Sequence, residues 1–395
     1  MIIGKINVQK LSIICFELCY TYKNLFKEEM VRKSSFIVAS LLLGVGLQAD
    51  STTLSNAFKN GEVNGDLHFY MENINNAGTT LDSGFSVGSV GLSYETDSYN
   101  GFKANMAFRA NHNFSEVENG DYDPTNENTQ AIMSVANISY ENDMFALILG
   151  RQAIDLEWMT DFHEAYVGVL KAIPDTTVVV GHTVRMTGDS DYDGALLKFQ
   201  KVNGNNGASV VDAKYTGFAN TVLNGYYYYA NNLASWYGLG INYDTDMYGF
   251  TAKYTASSEK VNGVADGSIA QLEARGSFKG FDVNAGYITT DSKGGIGSMS
   301  TLGDNINPFE EGNQVYSANA DTYYLGVSYE INKVTLGALY GDTSIANQDE
   351  KELNLLAGYS FSKALSANVA YININTDVVG SAEYNKVYAT VSYAF

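Results

Sequence analysis

The C-terminal stretch from Lys386 to Phe395 (KVYATVSYAF) constrains the fold more than any other part of the chain. Its alternate positions are apolar, namely Val387, Ala389, Val391, Tyr393 and Phe395, and the positions between them are small or hydroxylated. Since side chains alternate between the two faces of a strand, this pattern predicts a strand with one apolar and one polar face. Its length suits a tilted strand that crosses a bilayer. A strand of a soluble β-sandwich has the same pattern, so the rest of the chain must decide.

Composition is consistent with many short strands. The 395 residues include 38 Gly, 29 Tyr and 19 Phe but only 3 Pro, which suits strands joined by tight turns and flanked by aromatic girdles. The mean hydropathy of −0.14 excludes a bundle of membrane helices. A membrane barrel keeps such a low value because only alternate residues face lipid.

The charge excludes a second class of protein. Residues 1–49 carry 6 basic and 3 acidic side chains, so the remaining chain, with 18 basic and 41 acidic residues, has a net charge of −23. Nucleic acid requires a basic face, so we expect no nucleic-acid partner. Both cysteines, Cys15 and Cys19, lie in residues 1–49. The rest of the chain therefore holds no disulfide, thiolate metal site or cysteine nucleophile.

The N-terminus is typical of a secretory signal peptide. A basic start at Met30 to Lys33 precedes an apolar run from Phe36 to Leu47, and Ala49 supplies the small residue before a cleavage site. We interpret residues 1–29 as an upstream extension from a start codon assigned too early; a genuine extension is the alternative. The predicted organisation is a signal peptide at 30–49, a periplasmic segment with a helical turn at 50–61 and a transmembrane barrel at 62–395.

Strand-like segments separated by turn signals recur along the whole of 62–395. Short connections, such as those at 279–280 and 362–363, alternate with four long ones, at 258–267, 291–320, 343–350 and 375–385. A sandwich has no reason to keep this rhythm. It predicts an all-β fold, a transmembrane antiparallel up-and-down β-barrel with short periplasmic turns and long extracellular loops. Nineteen candidate strands include one at 192–200; treating 187–206 as an extracellular loop leaves 18, with 16 and 20 as alternatives.

Several motifs resemble one family of barrels. They are the segment LSNAFKNG from Leu54 to Gly61, Gly150-Arg151-Gln152 followed by Phe162-His163-Glu164-Ala165, the aromatic run Tyr226 to Ala230, and the terminal aromatic strand. Together they resemble the OprD-like (Opr family) porins found in Campylobacter relatives.

The resemblance implies an 18-stranded porin of the Gram-negative outer membrane, a diffusion channel for ions and small hydrophilic solutes. It implies contact with outer-membrane lipids and lipopolysaccharide, homotrimers, and a loop folded into the lumen. The terminal Tyr393 and Phe395 resemble the signal read by the barrel-assembly machinery. One departure from the family is the segment 153–161, which is shorter than the usual Pro-containing loop.

Candidate functional residues are the charged side chains of the predicted lumen, since water-filled channels select by bore and by rings of charge. Strand parity points Lys103, Arg109, Arg185, Lys253, Arg275, Glu164 and Glu273 inward, and the segment 153–161 adds Asp155, Glu157 and Asp161. We expect a constriction formed by this acidic loop and the basic wall, with mild cation preference. The alternative is that these are solvated residues paired across strands.

Other chemistry has weak signals. The four His lack zinc spacing, and Gly84-Phe85-Ser86-Val87-Gly88 matches a nucleophile elbow without the helix that should follow it. Acidic residues of the outer loops, including Asp121, Asp123, Glu127, Glu310 and Glu311, would offer oxygen ligands to calcium, although solvated surface charge explains them as well. We therefore expect no enzyme activity, metal or cofactor. The competing hypotheses are an adhesin or structural barrel and a barrel hydrolase.

Overall fold

The computed structural model describes residues 51–123, 128–187 and 196–395, so the predicted upstream extension and signal peptide lie outside the described residues. The elements are α1 (Leu54–Lys59), β1 (Glu62–Asn76), β2 (Ser83–Glu95), β3 (Phe102–Glu116), β4 (Ala131–Glu141), β5 (Phe145–Ala153), β6 (Phe162–Leu170), β7 (Thr176–Thr187), β8 (Gln200–Lys201), β9 (Ala208–Phe218), β10 (Thr221–Ala230), β11 (Ala234–Asp244), β12 (Tyr248–Glu259), β13 (Ser268–Phe278), β14 (Phe281–Thr290), β15 (Ala320–Ile331), β16 (Val334–Ile345), β17 (Gln348–Ser360), β18 (Leu365–Thr376) and β19 (Tyr384–Ala394).

The strands form one closed antiparallel barrel. Each long strand pairs with its neighbours in the chain, and β1 pairs with both β2 and β19, which removes the sheet edges. The two-residue β8 pairs only with Arg185 and Met186 at the end of β7, while β7 pairs directly with β9. The barrel therefore has 18 strands, as predicted. Of the candidate arm at 192–200, residues 192–195 lie outside the described part and Gln200 belongs to β8.

Side chains alternate between the two faces along most of each strand. On β15, Tyr323 and Leu325 are 63% and 57% exposed. Thr322, which precedes Tyr323, and Tyr324, which follows it, are almost fully buried. The exposed set forms a continuous apolar belt around the outside of the barrel. Aromatic pairs such as Phe281–Tyr329 flank this belt at the end of the barrel that holds the short turns. This is the girdle that a membrane interface favours.

The hairpin connections differ in length at the two ends of the barrel. At the end that holds both termini of the barrel, turns are short, and Lys279-Gly280 has positive φ at both residues, +50° and +83°. At the other end the connection between β14 and β15, residues 291–319, is the longest in the described chain. Among the described residues, no helix is long and apolar enough to cross a membrane.

One predicted loop is wrong. Residues 343–350 belong mostly to β16 and β17, which are joined by a tight turn at 346–347 with Ala346 at a φ of +55°. The polar run around Thr343 suggested a loop, yet Thr343 is buried and donates or accepts a hydrogen bond with Thr322 across the sheet at 3.0 Å. The hairpin therefore continues beyond the apolar belt, where polar residues alternate on a strand as well as apolar ones do.

Candidate functional site: two loops inside the barrel

Two loops at the end of the barrel opposite the short turns fold into the lumen and pack on each other. They are residues 154–161, between β5 and β6, and residues 291–319, between β14 and β15. The first contributes Trp158 and Met159, at 0% and 1% exposure, and the second contributes Met299 and Leu302, which are equally buried. These side chains share one apolar cluster with inward residues of the barrel wall. The expectation of a loop folded into the lumen is fulfilled by two loops.

Trp158 anchors the shorter loop to the wall. Its indole Nε1 donates to Thr255 Oγ1 of β12 at 3.1 Å, and its backbone N–H donates to the Tyr228 hydroxyl of β10 at 3.3 Å. Thr255 is fully buried and lies beside the outward-facing Tyr254, which is half-exposed. Because the indole N–H needs an acceptor when it is buried, this bond fixes the ring against the inner face of the wall.

Backbone bonds join the two loops. Thr160 N–H donates to Leu302 O at 2.9 Å, and Asn305 N–H donates to Glu157 O at 3.1 Å. The Asn305 amide also donates to Asp155 Oδ1 at 2.8 Å. At Gly303, where φ is +95°, a Cβ would lie 1.9 Å from Thr160 Oγ1, so only glycine permits this approach.

The base of the shorter loop is fixed by a buried histidine. His163 of β6 is fully buried, with Nε2 2.8 Å from Thr160 O and Nδ1 2.9 Å from Thr183 Oγ1 of β7. The sequence placed His163 in a family motif without giving it a role. Its geometry makes it a positioning residue for the loop.

The longer loop reaches the strands near the point where the barrel closes. Its tip places Glu311 Oε1 3.2 Å from Lys386 Nζ of β19, and the same Nζ lies 3.2 Å from Glu72 Oε2 of β1. Glu352 of β17 accepts hydrogen bonds from the N–H groups of Glu311 and Gly312 at 3.0 and 2.8 Å. The tip of the loop is thereby held against β17 and β19.

Two expectations about acidic residues change here. Glu310 and Glu311, which the sequence suggested as outer-loop acids, lie inside the barrel, where Glu310 accepts a hydrogen bond from the Tyr388 hydroxyl at 3.2 Å. Glu127 lies outside the described residues, and the described part of the chain holds no group of three or more His, Cys, Asp or Glu side chains suited to a metal ion.

Near the base of the longer loop, the N–H groups of Gly294 and Lys293 lower the pKa of Asp291.

Three of the predicted basic residues form close ion pairs with the lumen-side acids. Lys253 Nζ lies 2.7 Å from Glu157 Oε1 of the shorter loop, which is the predicted contact between wall and loop. Arg275 lies 2.7 Å from Glu273 and 2.8 Å from Asp244.

Arg109 meets Asp66 with two nitrogens, at 2.7 and 2.8 Å. Such bidentate pairing fixes the guanidinium in one orientation.

The other predicted residues lie apart from this contact. Lys103 pairs with Glu95 at 2.5 Å, on the strand ends that hold the short turns. Glu164 lies 3.5 Å from Arg151 and 4.0 Å from Arg185. By register these side chains lie on the face of β6 that carries the exposed Tyr166, and not on the face of His163, so the inward orientation predicted for Glu164 and Arg185 is wrong.

The remaining acid of the shorter loop closes its base. Asp161 has a φ of +73°, and its Oδ2 accepts a hydrogen bond from the Thr160 hydroxyl at 3.0 Å.

Lys386 is the functional candidate that sequence reasoning missed. It lies on the polar face of the terminal strand, so parity alone would have pointed it inward. Its acidic partner Glu311 comes from a loop, for which the sequence has no such periodic signal. The Ser86 motif lies within β2, where the hydroxyl bonds to Ser115 Oγ at 2.7 Å; a strand continues after it, unlike the helix of a nucleophile elbow.

The closed barrel, its apolar belt and its charged, loop-filled interior define an integral outer-membrane channel for small solutes. The sequence profile of the family described as "Gram-negative porin" matches residues 42–394, and the chain belongs to that family. No curated protein matches the chain.

Solved structures support the same fold. The chain is similar to OccAB4 of Acinetobacter baumannii, with a TM-score of 0.69 and 13% identity over 85% of this chain and 98% of that one. It is also similar to OccK8 (OprE) of Pseudomonas aeruginosa, with a TM-score of 0.68 and 12% identity over 86% and 99% of the two chains. The expected OprD-like barrel is thus confirmed.

Proposed function

We propose that this porin is a passive diffusion channel for ions and small hydrophilic solutes with a mild preference for cations. The observation that supports the preference is the stoichiometry of the ion clusters inside the barrel. A narrow bore with an excess of carboxylates draws cations and repels anions, because low-dielectric walls focus the field.

Two of the inner clusters have more acids than bases. Lys386 lies between Glu72 and Glu311, and these three side chains are only 12–22% exposed. Arg275 likewise lies between Glu273 and Asp244. Each cluster carries two carboxylates for one cation, so each leaves one net negative charge if all its members are ionised.

Two other inner pairs are balanced, and further acids, among them Asp155, add to the excess of carboxylates. Arg109–Asp66 and Lys253–Glu157 each hold one charge of each sign. Asp155 is exposed and, within the described chain, is hydrogen-bonded to the neutral amide of Asn305. The positive charges of the basic wall are therefore neutralised by carboxylates at the positions where the wall meets the inner loops.

One cluster of charges has the opposite balance. Arg151 and Arg185 share the single carboxylate of Glu164, which leaves a net positive charge. Arg151 also stacks over Phe199, with its Cζ 4.3 Å from the ring centroid. By register this cluster lies on the face of β6 that carries the exposed Tyr166, so it is not one of the inner charges.

A planar-bilayer recording under a salt gradient tests the proposal. We expect a zero-current potential of cation-selective sign that decreases as salt rises, because screening shortens to about 8–10 Å near physiological ionic strength. Removing two of the inner carboxylates with Asp155→Asn and Glu311→Gln should shift the zero-current potential toward anion selectivity.

The matched control is Asp143→Asn, which removes an exposed carboxylate from the turn between β4 and β5. It should leave the potential unchanged. Anion selectivity of the unmodified channel, or an equal shift in the control, would refute the proposed preference. Failure of the purified, folded protein to conduct would refute the diffusion channel itself and favour an adhesin or structural role.

A further inference from the structure

The short N-terminal helix α1 has an apolar face that no other described residue covers. Thr53 caps the helix by accepting the Asn56 N–H at 3.2 Å. Ala57 is 1% exposed and faces the barrel, whereas Leu54 and Phe58 are 58% and 53% exposed. Because residues four apart lie on the same helical face, Leu54 and Phe58 form one patch.

Hydrogen bonds fix α1 to the turn between β2 and β3. Ser51 N–H donates to Ser98 O at 2.8 Å, and Asp97 N–H donates to Ala57 O at 3.0 Å. The Ser51 hydroxyl donates to Asp97 Oδ2 at 2.6 Å, which lowers the pKa of that carboxyl. The helix is therefore held at the rim and does not hang freely below it.

The contact between α1 and Tyr94 shows on which side of the barrel the helix lies. The Tyr94 hydroxyl donates to Phe58 O. Tyr94 has the parity of Val90 and Leu92, which belong to the exposed apolar belt, and it pairs across the sheet with Val63, which is 60% exposed. The exposed face of α1 is thus continuous with the lipid-facing surface of the barrel.

We propose that α1 is an interfacial helix, with Leu54 and Phe58 inserted among the phospholipids of the inner leaflet of the outer membrane. A helix with one apolar face lies in the plane of an interface when that face reaches the acyl boundary. Lys59, in its last turn, places an ammonium beside the lipid phosphates. The N-terminal segment would then contact lipid and not only the periplasm.

Site-directed spin labelling tests this placement in the full chain. With Cys15 and Cys19 replaced by Ser, nitroxides are attached at Leu54→Cys or Phe58→Cys in vesicles of phosphatidylethanolamine and phosphatidylglycerol. We expect collisions with oxygen to exceed those with a water-soluble nickel chelate several-fold. Leu92→Cys, on the belt, is the lipid reference, and Asn56→Cys, on the opposite helical face, should show the reverse order.

Each other result contradicts the proposal. Labels at 54 and 58 that behave like the label at 56 would place the patch in water. Low collision rates with both reagents would show that protein covers it, and spin–spin broadening would identify a second copy as the occupant.

Phe58→Trp gives an independent measurement if a labelled variant does not fold. Trp158 and Trp236 are both fully buried, so they provide a nearly constant background. Brominated lipids should quench the added fluorescence. An unquenched signal in folded, heat-modifiable protein would refute the proposed contact between α1 and lipid.

Discussion

Trp158 stabilises the inner loops through both packing and a hydrogen bond. Replacing it with alanine removes a fully buried ring and should lower the free energy of unfolding by about 3–5 kcal/mol. Because the ring seats the 154–161 loop against β12, we also expect larger or noisier single-channel conductance. Denaturant unfolding in vesicles and bilayer recording measure the two effects.

Trp158→Phe is the matched control for this change. It keeps most of the packing and loses the bond to Thr255, so it should cost about 1 kcal/mol and change conductance little. Conductance of Trp158→Ala equal to that of the unmodified channel would show that the loop does not border the permeation path.

At the scale of the strand, depth in the membrane decides the effect of a charge. Leu325 lies near the middle of β15, whereas Phe250 is the third residue of β12, close to a short turn. Arginine at Leu325 should cost about 2–4 kcal/mol, and arginine at Phe250 about 0–1 kcal/mol, because the penalty falls toward the interface. Unfolding titrations in vesicles measure both values.

The control belongs on the inner face of a neighbouring strand. Asn284 of β14 lies on the inner face, and its amide donates to Glu273 Oε2 at 3.2 Å. Arginine there meets a carboxylate and should cost less than arginine at Leu325. Equal costs at Leu325 and Asn284 would contradict the inside–outside assignment.

At the scale of the whole barrel, closure depends on the terminal strand. Phe395 and Gly65 exchange two backbone hydrogen bonds of 2.8 Å, and the rings of Phe395 and Tyr393 stack at 6.0 Å. Deleting Phe395 should lower the amount of folded protein in the outer membrane, because lipid does not tolerate an open sheet edge. Heat-modifiable mobility of outer-membrane fractions measures this amount.

Phe395→Ser separates the two contributions of this residue. It keeps the backbone bonds and removes the aromatic ring that we expect the assembly machinery to read. A defect as large as that of the deletion would assign the effect to the ring, and normal levels in both variants would refute a role for the C-terminal residue.

The sequence by itself determined the barrel and the faces of most strands, and it predicted 18 strands with 16 and 20 as alternatives. Leu325, Phe250, Lys253 and Arg275 all point as their parity predicts, because alternation with a period of two is a local property of each strand. It also predicted a helical turn within residues 50–61, and the structure places α1 there at Leu54–Lys59.

Only the tertiary structure decided how the interior is filled and which charges meet there. Glu157 and Lys253 are 96 residues apart in the chain, and Glu311 and Lys386 are 75 apart. A loop has no periodicity to reveal its path, so its ion pairs depend on where buried anchors such as Trp158 fix it. Even the tight turn at 346–347 required the register between β16 and β17, since polar residues on a long hairpin resemble those of a loop.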